Sequence, residues 1–212
     1  MKFTGGKLYI CFFICVLGAI AVIPLHFLSV EHLRLQEKYG KEKGTKIGEV
    51  LGLVSGWGFF LFWIGIWISP QPRFTVPILP NPSIFVPVDS SSIPWLQLII
   101  CTSFIVPGAW LAVMGVGEVT LKTAETHRTE KIVTTGVYSI VRHPQYLGGL
   151  LAHVGISILL SALYSLFSTS LMVILVYLIS WKEEEELIRE FGKEYENYKE
   201  KVSMLIPRMR AH

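Results

Sequence analysis

Apolar residues fall in long blocks along this chain rather than at helical or strand periods. Three blocks are long enough for a helix to cross the hydrocarbon core, which takes about 20 residues: Leu8 to Val30, Ile47 to Ser69 and Ile93 to Gly117. A fourth, Leu147 to Trp181, carries no Asp, Glu, Lys or Arg and is too long for one helix. Leu163, Tyr164 and Ser165 lie near its middle, so the block predicts a tight helical hairpin of two slightly short spans. The pattern predicts an all-α integral membrane protein of about five transmembrane helices. Between the second and third spans, residues 70–92 hold six prolines. They read as an extended or turn-rich loop, packed over the bundle by Phe74, Ile78, Leu79, Ile84 and Phe85.

From Lys182 the character changes. Leu187, Phe191, Tyr195, Tyr198 and Val202 recur at spacings of four and three, one face of a helix, with charges on the other face. This predicts an amphipathic interfacial helix over 182–206, aromatic face down and ended by Pro207.

Composition supports the membrane reading. The chain is 51% hydrophobic and only 17% charged, where a soluble domain carries about 25%. Basic residues cluster in 31–46, 118–146 and the tail from Lys182, and the positive-inside rule places all three in the cytosol. The C-terminus is then cytosolic and the N-terminus outside. Lys2, Lys7 and Ala19-Ile20-Ala21 resemble a signal peptide, but the apolar run continues to Val30, so the segment is expected to be retained. A net charge of +3 suits an anionic leaflet and gives no argument for nucleic acid. Cys11, Cys15 and Cys101 fall inside predicted spans as small buried residues, without metal spacing.

Two polar stretches border these blocks. In VRHPQYLGG, residues 141–149, Pro144 suits the first turn of a helix, with His143 near its cap. The free amides of that helix end can hold a carboxylate or phosphate; the bland alternative is an Arg142–His143 headgroup anchor. Glu183-Glu184-Glu185-Glu186 follows Trp181, either as a solvated helix start suited to the dipole or as a negative spot facing the positive helix end. The second arrangement would clamp a zwitterionic, positively charged ligand. His26 and His153 lie within spans and are expected to be buried and hydrogen-bonded rather than metal ligands; no metal site is expected. Gly115-Val116-Gly117 follows a span and no strand, so it reads as helix packing rather than a dinucleotide fingerprint.

Together, GVYSIVRHPQYLGG and the later EEEELIREFGKEYENYKEKVSMLIP resemble the isoprenylcysteine carboxyl methyltransferase family and its phospholipid and thiol methyltransferase relatives. The resemblance runs over roughly residues 120–207, through Gly136, Tyr138, Arg142, His143, Pro144, Tyr146, Gly148, Glu183, Glu184, Phe191, Gly192, Tyr195, Tyr198 and Pro207. It implies S-adenosylmethionine in a cytosolic pocket capped by the last helix. Carried across, cofactor contacts fall on Glu130, Lys131, Ile132 and Val133, on Tyr138, on His143, Pro144, Gln145 and Tyr146, and on Glu183 and Glu184. Arg142 and Glu183 are the candidate catalytic residues. Members that methylate prenylcysteine usually carry an arginine four residues before the cofactor glutamate. Here Ile179 stands there, which puts a carboxyl acceptor in doubt.

The chain is thus expected to divide into 1–118, with three spans and the external loop 70–92, and a methyltransferase core, 119–212, holding the hairpin 147–181 and the helix 182–206. The expected activity is S-adenosylmethionine-dependent methylation of a lipid or small-molecule acceptor. An NADPH-dependent sterol or isoprenoid reductase and a non-catalytic scaffold or transporter stand as alternatives; the reductases carry Asn-Tyr-x-Gly-Asp after the histidine, where this chain has Gln145-Tyr146-Leu147-Gly148-Gly149.

Overall fold

The structure, a computed structural model, describes residues 9–74, 83–86, 91–119 and 131–207. Helices α1 (Ile10–Ala21) and α2 (Ile23–Val30) form one apolar rod with a break at Val22, just ahead of Pro24. Proline removes a backbone donor and crowds the preceding turn, which is reason enough for the break. A short helix α3 (His32–Tyr39) and the long α4 (Lys41–Ile68) follow. Helix α5 (Trp95–Val119) contains Pro107. Then come a 3-10 turn over Gly136–Ser139, α6 (Pro144–Leu159), the short α7 (Leu163–Phe167), α8 (Thr169–Phe191) and α9 (Lys193–Lys201).

Among the described residues, three segments are long and apolar enough to cross a membrane: Ile10–Val30, Lys41–Ile68 and Trp95–Val119. Their outward faces carry exposed Phe13, Leu17, Trp57, Leu61, Val106 and Val113, as a lipid-facing surface requires. The hairpin turns at Ser161, whose φ is 51°. Helix α6 has 16 residues, about 24 Å at 1.5 Å per residue, and falls short of a roughly 30 Å hydrocarbon core.

With lipid as solvent, helices associate by close packing of small residues. Along α4, Gly44, Gly48, Gly52 and Ser55 are all buried, and α2 and α3 pack on that stripe. The most extensive packing joins α5 to α6. There a Cβ on Gly148 would lie 2.5 Å from the Gly108 carbonyl oxygen, and one on Gly115 would lie 2.8 Å from Gln145 Cγ. Gly115 therefore serves helix packing, as its context suggested.

Several polar groups within the bundle are satisfied in compact networks. The indole N–H groups of Trp63 and Trp67 both donate to His153 Nδ1, at 2.7 and 2.8 Å, and His153 Nε2 meets the Ser165 carbonyl at 3.0 Å. His153 is a buried structural histidine. Gln71, Arg73 and Phe74 stitch the start of the proline-rich loop onto the 160–165 turn: Gln71 Oε1 accepts from Ser165 N–H at 2.7 Å, and Phe74 N–H donates to the Ser161 carbonyl at 3.1 Å. Ser83–Val86 and Ser91–Pro94 then pair as an antiparallel hairpin, a regular element within a segment read as irregular. Ile78 and Leu79 lie outside the described residues. The cysteines differ from expectation too: Cys101 is buried, but Cys11 is exposed on the outer face of α1.

The C-terminal region departs most from the sequence reading. No single helix covers 182–206. Instead α8 runs unbroken from Thr169 through the glutamate run to Phe191, since those residues are good helix formers with no breaker among them. It stops at Gly192, whose φ of 56° breaks the path before α9. Helix α9 ends at Lys201, and residues 202–206 run beside the 141–143 strand-like stretch, with Val141 and Ser203 bridged in parallel.

Candidate functional site

At the end of the bundle where α2, α5, α6 and α8 converge, a cavity encloses about 960 Å³ of empty space, mouth included. Its wall includes Lys131, Ile132, Val133, Tyr138, Arg142, His143, Pro144, Gln145, Tyr146 and Glu183. The structure therefore brings together every candidate site residue except Glu184, which is not among the lining residues, and Glu130, which lies outside those described. Sequence reasoning missed Val30 and His32 from the first half, Val119, and Glu186, Leu187 and Glu190 one and two turns further along α8.

The entry to α6 builds one wall. Pro144 occupies the helix start, and His143 is the N-cap residue with φ −124° and ψ 66°. The next amides, those of Gln145 and Tyr146, fall in the first turn, where a helix offers no internal acceptor. Upstream, Glu118 Oε1 accepts the Val137 N–H at 3.0 Å and so caps the 3-10 turn. Gly136 is needed there: its φ is 53°, and a Cβ would lie 1.9 Å from Glu118 Oε1. The turn presents Tyr138, whose phenol receives the Gln145 amide at 3.1 Å, while Tyr198 donates to its carbonyl at 2.6 Å. Burial pushes the Tyr138 phenol up to about 12 despite the Gln145 hydrogen bond.

Two adjacent glutamates point to different tasks. Glu184 is fully buried. Arg142 grips it with Nε and Nη2 at 2.7 and 3.0 Å, and Lys199 Nζ stands 3.3 Å away. Nη1 of Arg142 donates to the carbonyls of Lys199 and Val202. Arg142 thus lines the cavity while its guanidinium is engaged in a clip that ties the α6 entry to α8 and to the chain after α9. Two backbone bonds reinforce it, Arg142 N–H to the Ser203 carbonyl and His143 N–H to the Met204 carbonyl, at 2.9 and 3.1 Å.

Glu183 instead belongs to the cavity. Its Oε1 accepts the Tyr146 hydroxyl at 2.5 Å and lies 3.2 Å from His26 Nε2. Its Oε2 lies 3.5 Å from His143 Nδ1. The His143 ring stacks on Tyr146 at 5.6 Å and bridges the two carboxylates, with Nε2 3.2 Å from Glu184. His26 is buried, as expected, but as part of this site.

The rest of the run is not a solvated helix start. Glu186 is paired with Lys182 at 2.9 Å and Arg189 at 2.8 Å, and its side chain is only 11% exposed. Lys182 also meets Glu31 at 3.0 Å, which fastens α8 to the end of α2 at the cavity mouth. Of the two readings of the run, the solvated helix start fails for Glu186, which is held beside Lys182.

Although burial opposes its ionisation, hydrogen bonds from His143 and Arg142 hold the Glu184 carboxyl at about 2. Burial likewise opposes charging of His143, but Glu183 and Glu184 raise its value above the ordinary one. Folding stability should follow both shifts. The Glu184 contribution is present above an unfolded carboxyl's value of about 4.3 and is lost as pH falls towards its folded value. The His143 contribution is complete below about 6.5 and is lost as pH rises through its raised folded value. A melting midpoint that declines on both flanks is expected, and His143→Gln should remove the alkaline decline. An unchanged alkaline flank in that variant would show that another group causes it.

Comparison with known proteins matches residues 96–194 to the phospholipid methyltransferase family. The chain is 37% identical over 85 residues to a methanethiol S-methyltransferase of Pseudomonas deceptionensis, covering 36% of this chain and 28% of that protein. It is 33% identical over 92 residues to a protein-S-isoprenylcysteine O-methyltransferase of Schizosaccharomyces pombe, covering 40% and 36%. The corresponding Xenopus laevis protein is 34% identical over 125 residues, covering 46% and 41%. The chain thus spans between 28% and 41% of the length of these relatives. No solved structure matches.

Proposed function

We propose that this chain, an all-α membrane protein of the isoprenylcysteine-carboxyl-methyltransferase-like family, is an S-adenosylmethionine-dependent methyltransferase. The observation that carries the reading is the cavity itself. Residues 131–133, 138, 142–146 and 183, scattered over 50 positions of sequence, form one wall around a partly shielded carboxylate.

The lining suits that cofactor. Glu183, Glu186 and Glu190 make the wall acidic, and Tyr138, Tyr146, Tyr195 and Tyr198 line it with rings. Carboxylates and aromatic faces favour ammonium and sulfonium groups. The first-turn amides of α6 suit the methionine carboxylate. When bound, S-adenosylmethionine supplies a methyl group already activated on sulfur. The protein's part is to orient and to exclude water. Glu183 fixes the positive end, Tyr138 and the strip through Lys131, Ile132 and Val133 enclose the remainder, and the Arg142–Glu184 clip keeps both walls at their spacing. Arg142 acts through that clip, since its donors are engaged by protein groups.

The relatives lend no support to a reductase or a scaffold. Titration of the purified chain with S-adenosylhomocysteine beside NADPH tests the reading directly. Binding of the first alone is expected; binding of NADPH alone would replace the proposal with the reductase.

We also infer the five-span topology, with α6 and the apolar part of α8 as short fourth and fifth spans, and a cytosolic cavity. The basic residues of 31–46 and of the tail motivate this orientation. A cysteine at Lys193 should be protected from impermeant reagents added outside; labelling there would reverse the orientation.

For the acceptor, Ile179 is 3% exposed within the apolar core and offers nothing to a carboxylate. A farnesylcysteine analogue should therefore be methylated at least tenfold more slowly than a small thiol, by the scale of one lost charged contact. Equal rates for the two would show that another residue binds the carboxylate.

A further inference from the structure

The family match begins at residue 96, so residues 1–95, most of the first half of the chain, lie outside it. That half nevertheless supplies part of the cavity. Val30 and His32 line the wall, and His26 reaches Glu183 from α2. His26 is 4% exposed and is carried to this place by the break at Val22, after which α2 packs against both α4 and α8.

We propose that His26 is a positioning residue for Glu183, so that the first half of the chain helps set the ligand affinity of the site. The inference rests on the S-adenosylmethionine reading above. Tyr146 and His143, two partners of the carboxylate among the described residues, both belong to the entry of α6 and move with it. They secure Glu183 from that element. His26 adds a contact from a separate helix, to the same Oε1 that accepts the Tyr146 hydroxyl. A glutamate side chain loses considerable rotamer freedom when it binds a ligand. Holding it from two elements removes that loss beforehand, which is the general route by which preorganisation raises affinity. The contact puts a ring nitrogen against the carboxylate, so an apolar side chain of similar size would fill the space without supplying that nitrogen.

The test is calorimetric titration of the purified full-length chain with S-adenosylhomocysteine. His26→Phe is expected to bind about tenfold more weakly than wild type. His26→Gln can present an amide N–H near the former Nε2 and should recover to within about threefold. His26→Asn is polar but too short to reach Oε1 and should lose as much as the phenylalanine variant; it serves should that variant fail to fold. Coupled residues give non-additive losses, so His26→Phe should cost nothing further in a Glu183→Gln background. Wild-type affinity in the Phe and Asn variants, or losses that multiply in the double variant, would overturn the proposal. Absence of S-adenosylhomocysteine binding by the wild-type chain is a different result, which refutes the cofactor reading itself.

Discussion

Glu183→Gln is expected to weaken S-adenosylhomocysteine binding ten- to hundredfold while leaving the melting midpoint nearly unchanged. The substitution keeps shape and removes the charge. A hydrogen bond to a charged group contributes about 1.5–3 kcal/mol, and each 1.4 kcal/mol is about a tenfold change in affinity. The fold should tolerate the change, because Gln keeps the length and an oxygen acceptor for the Tyr146 hydroxyl and for the ring nitrogens of His26 and His143. Glu194→Gln on the exposed face of α9 is the suitable control and should bind as wild type. Glu186 cannot serve, since it lines the cavity and pairs with Lys182. Calorimetry on Glu183→Gln with wild-type affinity would return the carboxylate to a purely structural role.

Glu184→Leu should have the opposite profile, a large loss of stability with binding lost only as a consequence. It leaves the Arg142 guanidinium 8% exposed and without its bidentate partner. Removing one member of a buried pair costs about 3–5 kcal/mol, because the survivor's charge stays desolvated. Lys199 lies close to the same carboxylate and would then stand as an uncompensated like charge. A lowered melting midpoint in detergent is the measurement. The double variant Arg142→Met, Glu184→Leu removes both charges and should recover much of the loss. If the single variant melts like wild type, the clip contributes nothing and the α6 entry is held by its backbone bonds alone.

Much of this site was legible before any coordinates, and the reasons are local. Pro144 marks a helix start because its ring fixes φ and its missing donor has no role there. Tyr138 and the 142–146 stretch follow as neighbours in sequence. Glu183 could be named, but its difference from Glu184 could not. Both sit in one acidic run, and only the crossing of α8 beside Arg142 decides which is buried. Arg142 did carry a signal, since a guanidinium at the border of an apolar span needs a carboxylate partner, but the spacing alone does not choose Glu184 over nearer glutamates such as Glu118. The limits of the last helix were misread because amphipathic spacing continues smoothly through Gly192, whereas the chain bends there. His26, Val30 and His32 were not assigned to the site, since nothing in their own sequence links them to residues more than 100 positions away. The stripe of Gly44, Gly48 and Gly52, which lets α3 settle against α4, was the available clue. A Cβ on Gly48 would lie 2.6 Å from His32 Nδ1.

The clip between the α6 entry and the stretch after α9 also fixes an order of events during synthesis. Arg142 leaves the ribosome 60 residues ahead of Val202, whose carbonyl it will bind. At about 5–20 residues per second, that is an interval of roughly 3–12 s. For that time the nascent chain holds its apolar helices and a buried-type arginine whose final acceptors have not yet been made. Tyr195 and Tyr198 line the cavity and Ser203 and Met204 hold the α6 entry, so a polypeptide released at Gly192 would lack both.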